Sequence, residues 1–235
     1  MQRDGRELEY LIENVAIATV GDVMDLCGEN RIFVRQGLNM LKTTQNEGLK
    51  ALMEATEVPL DRLSAYHIGY VLGPCINASG RLDTAKRALG LLNAKSRSEA
   101  AILAGELKAL NDSRKDMTEK GVCQAVQMIE STSLAEDRVL VVYLPDCHES
   151  LAGIIAGRLR EAYGHPGYVI VEAETGLKGS GRSIEAYSMF EHLQSCGDLL
   201  SRFGGHPMAA GLSMARENLA EFTRRINEDT GLSEE

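Results

Sequence analysis

Apolar and polar residues follow a helical spacing through the first part of the chain. The stretches LEYLIENVAIATVGDVM (residues 8–24) and NRIFVRQGLNMLKT (residues 30–43) both place apolar residues along one side of a helix. Glycine and proline interrupt the pattern at Gly48, at Pro59 and in GPCINASG. The pattern therefore predicts an almost wholly helical region over residues 7–95.

The pattern changes after a long helical stretch that contains no proline. Residues 98–130 suit one long helix, or two nearly continuous ones. Beyond them, β-branched strands (RVLVVYL, GYVIVEAE) alternate with helices (SLAGIIAGRLREAYG, SMFEHLQSCG, RENLAEFTRRINED). This alternation predicts an α/β fold. We expect three parts: a helical N-terminal lobe (residues 1–96), a long connecting helix (97–133) and a C-terminal α/β domain (134–235).

Composition and charge narrow the functional classes. The net charge of −9 disfavours a nucleic-acid binder that relies on bulk attraction to phosphates, although a local basic groove is compatible with it. The five cysteines form no CxxC pair, which argues against a zinc ribbon or a disulfide framework and suits a reducing cytoplasm. The sequence has no bilayer-spanning apolar run and no apolar segment typical of a signal peptide at its N-terminus. We expect a cytoplasmic protein without a membrane partner.

Two glycine-rich stretches carry the candidate chemistry. The first, KGSGRS, offers the positive charges of Lys178 and Arg182, the hydroxyls of Ser180 and Ser183, and accessible backbone N–H groups. A phosphate or a carboxylate needs such convergent donors together with a cation. A glycine-rich turn between strands with exposed basic residues explains the same letters, and the residues alone favour that plainer interpretation.

The second glycine-rich stretch, RFGGHPMAAG, adds Arg202 and His206. Gly204 and Gly205 permit positive φ and a close approach of a ligand to the backbone, and Pro207 rigidifies the predicted turn. Because a lone histidine is more often structural, the case for an anion site rests on the pair of turns rather than on either one.

Other polar residues leave their roles open. Asp22 and Asp25 are spaced so that both can face one side of a helix, but a solvated helix end explains them equally well, and one carboxylate cannot hold a metal. His148 follows a predicted strand and precedes a predicted helix, which suits an active-site residue and a helix cap alike. Asn77 and Arg81 are the polar members of a predicted compact loop, where Arg81 contacts either a phosphate or the other lobe. On the residues alone, the chain is a two-lobed protein with an anion-binding cleft.

Several of these stretches, taken in order, resemble one family. GPCINASGRLDTAKRALGLL resembles the signature GPRINAAGRL, and the helix after it, of RecJ-type single-strand-specific DNA exonucleases in the DHH phosphoesterase superfamily. ATVGDVMDL and the helix that follows resemble the fourth metal-site motif of that family. CHESLAGIIAGRL, LKGSGRS and RFGGHPMAAGLSM resemble successive motifs of the DHH-associated domain. The resemblance covers residues 11–225, and INASGRL makes the RecJ type the better fit within the superfamily.

The resemblance implies an enzyme that hydrolyses phosphodiester bonds of single-stranded DNA from the 5′ end with two divalent ions, Mn²⁺ or Mg²⁺. It implies that the helical lobe is the second half of a DHH catalytic domain and that the α/β part is the substrate-binding DHH-associated domain. The implied partners are single-stranded DNA with a 5′-phosphate, a single-strand-binding protein and a helicase, in DNA repair and recombination. The implied site residues are Asp22 as a metal ligand, His148 as a catalytic residue, and, for DNA phosphates, Asn77, Arg81, Lys178, Ser180, Arg182, Ser183, Gly204, Gly205 and His206.

The chain also departs from the family pattern. The DxDG motif, a second aspartate and the DHH triplet are absent from it, so Asp22 has no companion ligands and the two-metal site is incomplete. Residues 147–150, CHES, stand where the family usually has Trp-His-Pro-Gly. We therefore expect this chain to be part of a longer exonuclease. Alone, the chain is expected to bind DNA or a 5′-phosphate and to be inactive. The alternatives are a DHH phosphodiesterase for short oligonucleotides or cyclic dinucleotides, and a non-catalytic nucleic-acid-binding scaffold.

Overall fold

The longest helix of the chain, Arg97–Ser131, contains the division between two units. The structure, a computed structural model, describes residues 11–228 and 230–232. Its first unit ends at Arg114 and its second begins at Lys115. The part of the helical prediction that falls on residues 7–10 lies outside the described residues. The predicted domain limits, residues 1–96, 97–133 and 134–235, stay predictions.

The first unit is built from helices around one hydrophobic core. The fully buried side chains at its centre include Leu49, Leu52, Leu72 and Leu91. Over the described residues, the prediction of a helical region is confirmed. The helices are α1 (Ile12–Gly21), α2 (Gly28–Leu41), α3 (Glu47–Ala55), α4 (Ala65–His67), a π-helical segment (Ile68–Leu72), α5 (Gly73–Leu82), α6 (Lys86–Leu92) and the beginning of α7 (Arg97–Ser131).

Two local predictions in this unit are wrong. The stretch GPCINASGRL is helix α5 and not a compact loop, because Pro74 falls in the first turn of that helix, directly after the π-helical segment. Proline lacks the N–H that an inner helical turn needs, and it is tolerated in the first turn. Asp22 and Asp25 do not share one side of a helix, since α1 ends at Gly21 and Val23 has a positive φ of 57°. Asp22 is the C-cap of α1, and Asp25 lies in the connection to α2.

The second unit is a five-stranded mixed sheet with helices on both faces, which confirms the α/β prediction. The strand order is β1-β2-β3-β5-β4; β1 and β2 are parallel, and the other neighbours are antiparallel. The elements are β1 (Leu140–Tyr143), α8 (Ala152–Tyr163), β2 (Gly167–Ala173), β3 (Gly176–Arg182), α9 (Met189–Ser195), β4 (Leu200–His206), β5 (Ala209–Met214) and α10 (Leu219–Glu228).

The two faces of this sheet are covered unequally. Helices α9 and α10 pack on one face, where Met189 and Phe222 join Tyr168, Ile170 and Leu212 in a hydrophobic core. On the opposite face, α8 and the C-terminal half of α7 pack against β1 and β2, and α8 also reaches β3. This second layer stops before β5 and β4, so those two strands are open on that face. In the described part of the chain, no helix is long and apolar enough to cross a membrane.

Candidate functional site

Both glycine-rich stretches are strands, so the prediction of two glycine-rich turns is wrong. KGSGR lies within β3, RFGGH lies within β4, and the turn itself is at Pro207 and Met208 between β4 and β5. Successive residues of a strand point to opposite faces of the sheet. Every second residue of each stretch therefore faces the same side.

The three strands bring these alternate residues together on one sheet face, which we call the open face. It is the face that α8 covers over β1 and β2. The pairing register sets the residues in three rows across β3, β5 and β4: Lys178–Ser213–Arg202, Ser180–Gly211–Gly204 and Arg182–Ala209–His206. The basic residues belong to the two outer strands, and the central strand contributes only small side chains. Because neighbouring strands lie about 4.8 Å apart, the basic residues of β3 and β4 face each other across about 10 Å.

A groove of about 480 Å³ lies on the first two rows of the open face. Its floor includes Ser180, Gly211 and Gly204, and its side is formed by Glu149 and Ser150 just before α8. Serine hydroxyls, backbone N–H groups and the two cations of the first row are all suitable for phosphate oxygens. The groove therefore has the size and the donors of an anion-binding site.

Four glycines of β3, β4 and β5 fall into two kinds. On the buried face, a Cβ added to Gly179 would lie 2.5 Å from Ile170 Cδ1, and one added to Gly181 would lie 2.4 Å from Met189 Sδ. On the open face, a Cβ at Gly204 would have no described atom within 4 Å, and one at Gly211 would have only Gly179 O at 3.8 Å. Neither Gly204 nor Gly211 has a positive φ. The fold requires glycine at the first two positions, and at the other two glycine serves only to keep the floor of the groove open.

The basic side chains of the open face differ in their partners. Lys178 Nζ donates to Glu149 Oε2 at 2.6 Å. Arg182 Nη1 donates to the carbonyl of Gly181 at 2.8 Å, and its guanidinium lies against Gly153 at the start of α8. Arg202 and His206 are exposed, and neither side chain has a hydrogen bond or an ion pair with the described residues. Two donors are thus available to a ligand without breaking a contact.

Two residues predicted to contact a phosphate do not lie on the open face. Ser183 is fully buried, and its hydroxyl donates to the carbonyl of Tyr187. Gly205 belongs to the other face of β4, where it pairs with Ala210 at a φ of 153°. Ser183 therefore fixes the end of β3 and Gly205 shapes the hairpin, and a contact of either with a phosphate stays a prediction.

His148 caps the short 3₁₀ turn that precedes α8. Its Nδ1 accepts from the backbone N–H of Ser150 at 3.3 Å and lies 2.8 Å from the Ser150 hydroxyl. This contact fixes a residue that lines the groove, but no partner of His148 tests the catalytic role, which stays a prediction. Burial raises the pKa of the neighbouring Cys147 thiol, so this cysteine stays protonated at neutral pH.

Two of the three predicted site residues of the first unit line the same cavity. Asp22 and Asn77 both line a cavity of about 460 Å³, and Arg81 is exposed on α5 one turn beyond Asn77. Among the described residues, no group of three His, Cys, Asp or Glu side chains lies close enough to hold a metal ion. Mn²⁺ and Mg²⁺ need more ligands than one carboxylate. The described residues therefore do not form a complete metal site.

Several residues of the groove were not assigned from sequence, among them Glu149, Gly211 and Ser213. They come from the turn before α8 and from β5, and only the fold brings them beside β3 and β4. Arg202 was noted beside His206 without a role of its own. A sequence signal did exist: the spacing K-x-S-x-R and R-x-G-x-H repeats every two residues, as in a strand with one functional face.

The chain is similar to known proteins over almost its whole length. Residues 136–230 match the family model of the DHHA1 domain. The chain is 36% identical over 230 residues to the "Single-stranded-DNA-specific exonuclease RecJ" of Salmonella typhimurium, a match that covers 94% of this chain. It is 35% identical over 231 residues to the protein of the same name from Bacillus subtilis, which covers 97% of this chain. The chain belongs to the RecJ family.

These RecJ relatives are much longer than the present chain, which covers 40% of the Salmonella protein and 29% of the Bacillus protein. A solved structure of Thermus thermophilus RecJ in complex with Mg²⁺ matches with a TM-score of 0.85 at 32% identity, over 93% of this chain and 34% of that one. A second RecJ structure from the same organism, in complex with Mn²⁺, matches with a TM-score of 0.84. The open face lies wholly within the DHHA1 segment, whereas Asp22, Asn77 and Arg81 lie in the RecJ sequence that precedes it.

Proposed function

We propose that this chain holds single-stranded DNA for a RecJ exonuclease. The open face binds phosphates of the strand, with the 5′-terminal phosphate among them. The whole protein then hydrolyses phosphodiester bonds in the 5′-to-3′ direction during DNA repair and recombination. A single-strand-binding protein and a helicase are the expected partners, and the cytoplasm is the expected location.

One observation carries this proposal: the pairing register puts Lys178, Arg182, Arg202 and His206 around a floor of small residues. A negatively charged backbone fits between two basic strands, and the absent side chain at Gly211 lets it approach the sheet. The similarity to RecJ proteins supports DNA as the source of the phosphates. The net charge of −9 is no obstacle, because the basic residues are concentrated on one face.

The first unit contributes at most part of the catalytic site. Asp22 is proposed as one metal ligand, and Asn77 and Arg81 as contacts to the DNA backbone on the same side of the unit. Bound Mn²⁺ or Mg²⁺ would supply an activated water and neutralise the leaving oxygen. Since the described residues include no group of three potential metal ligands, we assign no step of hydrolysis to this chain alone.

This chain alone should therefore show no nuclease activity. We expect a longer RecJ protein that contains this chain to degrade a 5′-phosphorylated single strand in Mn²⁺, and the chain alone to leave it intact. Cleavage by the chain alone would contradict the incomplete metal site. No cleavage by the longer protein would contradict the exonuclease proposal, and faster cleavage of a dinucleotide than of a long strand would indicate a DHH phosphodiesterase instead.

Arg182→Ala should weaken binding of a 5′-phosphorylated single-stranded oligonucleotide by about 1–3 kcal/mol, or about 5- to 150-fold in Kd. The guanidinium can donate two hydrogen bonds to phosphate oxygens, and alanine can donate none. Fluorescence anisotropy of a 3′-labelled oligonucleotide measures the change.

Arg158→Ala is the matched control for Arg182→Ala. Arg158 is an exposed arginine of α8, so its removal changes the net charge equally without altering the open face. We expect the Kd of this control to stay within about twofold of the parent, as for a screened surface charge. If both variants bind equally well, the open face is not the phosphate site.

A further inference from the structure

An acidic residue lies inside the proposed anion groove. Among the described residues that line it, the charged side chains are Glu149, Lys178 and Arg202. The carboxylate of Glu149 is held by Lys178 at 2.6 Å, and the two side chains are 48% and 51% exposed. A half-exposed ion pair contributes at most about 1 kcal/mol to folding stability. The Glu149 carboxylate therefore contributes little to folding stability. Stability does not explain why an acidic residue lies beside the proposed anion site.

We propose that Glu149 determines which phosphate the groove accepts. This inference rests on the proposed function, since it concerns the same groove. While Glu149 holds Lys178, the lining residues present one uncompensated cation, Arg202. A phosphodiester within a strand carries one negative charge and matches that cation. A terminal phosphate carries a charge of about −1.5 to −2 at neutral pH and meets the carboxylate as well. The groove thus favours an internal phosphodiester and reduces the preference for a 5′-phosphorylated end.

The other basic residues of the open face do not cancel this effect. Arg182 and His206 belong to the third row, four residues along the strands from Lys178 and Arg202. At about 3.4 Å per residue, that separation is about 14 Å, which is longer than the Debye length at physiological salt. Glu149 is instead in contact with the first row. Its charge therefore acts mainly on a phosphate that lies over Lys178 and Ser180.

If Glu149 selects between phosphates, removing its charge should change the affinity for a terminal phosphate more than the affinity for an internal phosphodiester. Coulomb energy is proportional to the charge of the ligand, so removing one negative charge helps a dianion about twice as much as a monoanion. Replacing Glu149 by glutamine keeps the length of the side chain and also releases Lys178 Nζ for a phosphate oxygen. A gain of positive charge far from the groove would instead raise the affinity for both ligands weakly and to the same extent.

The test compares two short single-stranded oligonucleotides of one sequence, with a 5′-phosphate or with a 5′-hydroxyl, both labelled at the 3′ end. We expect Glu149→Gln to tighten binding of the phosphorylated oligonucleotide by about tenfold and of the hydroxyl form by about threefold. Glu161→Gln is the matched control, because Glu161 is also ion-paired, with Arg160, but lies near the far end of α8. This control should leave both Kd values within about twofold. Adding Lys178→Gln to Glu149→Gln should remove most of the gain.

The outcomes separate this inference from the proposal it rests on. If the parent chain binds oligonucleotides and Glu149→Gln tightens both forms equally, or neither, the inference is overturned and the proposed function stands. If neither the parent nor any variant binds either oligonucleotide, the proposed function is overturned together with the inference. Thermal unfolding of each variant confirms that the fold is retained.

Discussion

Gly205→Ala will lower the free energy of unfolding of the second unit by about 2–3 kcal/mol, because it combines backbone strain with overlap. Gly205 has a φ of 153°, in a region where residues with a side chain are rare. A Cβ at this position would lie 2.4 Å from Ala209 O and 2.6 Å from Ala210 Cα. These are backbone atoms of the paired strand, so a change of rotamer cannot relieve the contact. The β4–β5 hairpin must distort.

The neighbouring Gly204 provides the control within the same motif. A Cβ at Gly204 would point into open space, and its φ is not positive. Gly204→Ala should therefore change the free energy of unfolding by less than about 0.5 kcal/mol. Thermal unfolding measures both variants, and the Gly205 substitution should lower Tm by roughly 5–10 °C. Equal Tm values would show that the hairpin geometry at Gly205 is not strained as described.

Gly211→Val will raise the Kd for a 5′-phosphorylated single-stranded oligonucleotide at least about tenfold while the fold remains stable. Gly211 is the centre of the middle row, between Ser180 and Gly204, and it forms part of the floor of the groove. The branched side chain of valine would stand between the two basic strands and keep phosphates away from the backbone. Valine also suits a strand better than glycine does, so stability should be unchanged or slightly higher.

Gly105→Val is the control for this substitution. Gly105 lies on α7 in the first unit, and an added Cβ there meets no described atom within 4 Å. This variant should bind the oligonucleotide as the parent does. If Gly211→Val also binds normally and is folded, then phosphates do not reach the floor of the groove, and the open face does not act as proposed.

The glycine content of β3 and β4 explains why these strands were predicted as turns. Glycine is depleted in strands because it offers no side chain for packing. In β3 the absence of a side chain is required, because Gly179 and Gly181 make room for side chains of the layer beneath. These side chains are Ile170, Met189 and the Tyr168 ring. Such a requirement comes from side chains far away in sequence, so local propensity cannot indicate it. The two-residue periodicity of the basic residues was the better signal.

Helix α5 of the first unit is a second case in which local sequence propensity predicts the wrong structure. Gly73 and Pro74 are strong helix breakers in isolation, and they predict a loop. The structure instead joins them to a π-helical turn, in which the Gly73 N–H donates to Ile68 O. A Cβ at Gly73 would lie 2.8 Å from that same oxygen, which accounts for glycine at this position. A rare helical geometry thus reverses what the two residues predict separately.

Sequence spacing could group the candidate residues that lie within one motif, but it could not group those that the fold brings together from several segments. Lys178, Ser180 and Arg182 share β3 and could be grouped from their spacing alone. Glu149 is in the groove because the turn before α8 packs beside β3, a contact between segments far apart in the chain. Ser183 adjoins the same motif but faces the core, and only the position of the strand end explains that.

The C-terminal end of α7 has a consequence for what counts as one domain. The homologous DHHA1 segment begins at residue 136, yet the core beneath α8 also contains Ala125 and Ile129, both with no exposed surface. Truncating a buried isoleucine such as Ile129 to alanine typically costs about 2–5 kcal/mol, a large part of the stability of a small domain. The hydrophobic core of this unit therefore extends beyond the segment that matches the DHHA1 family model. Helix α7 was expected to act only as a connector. Its C-terminal end instead packs inside the second unit and forms part of the core of that unit.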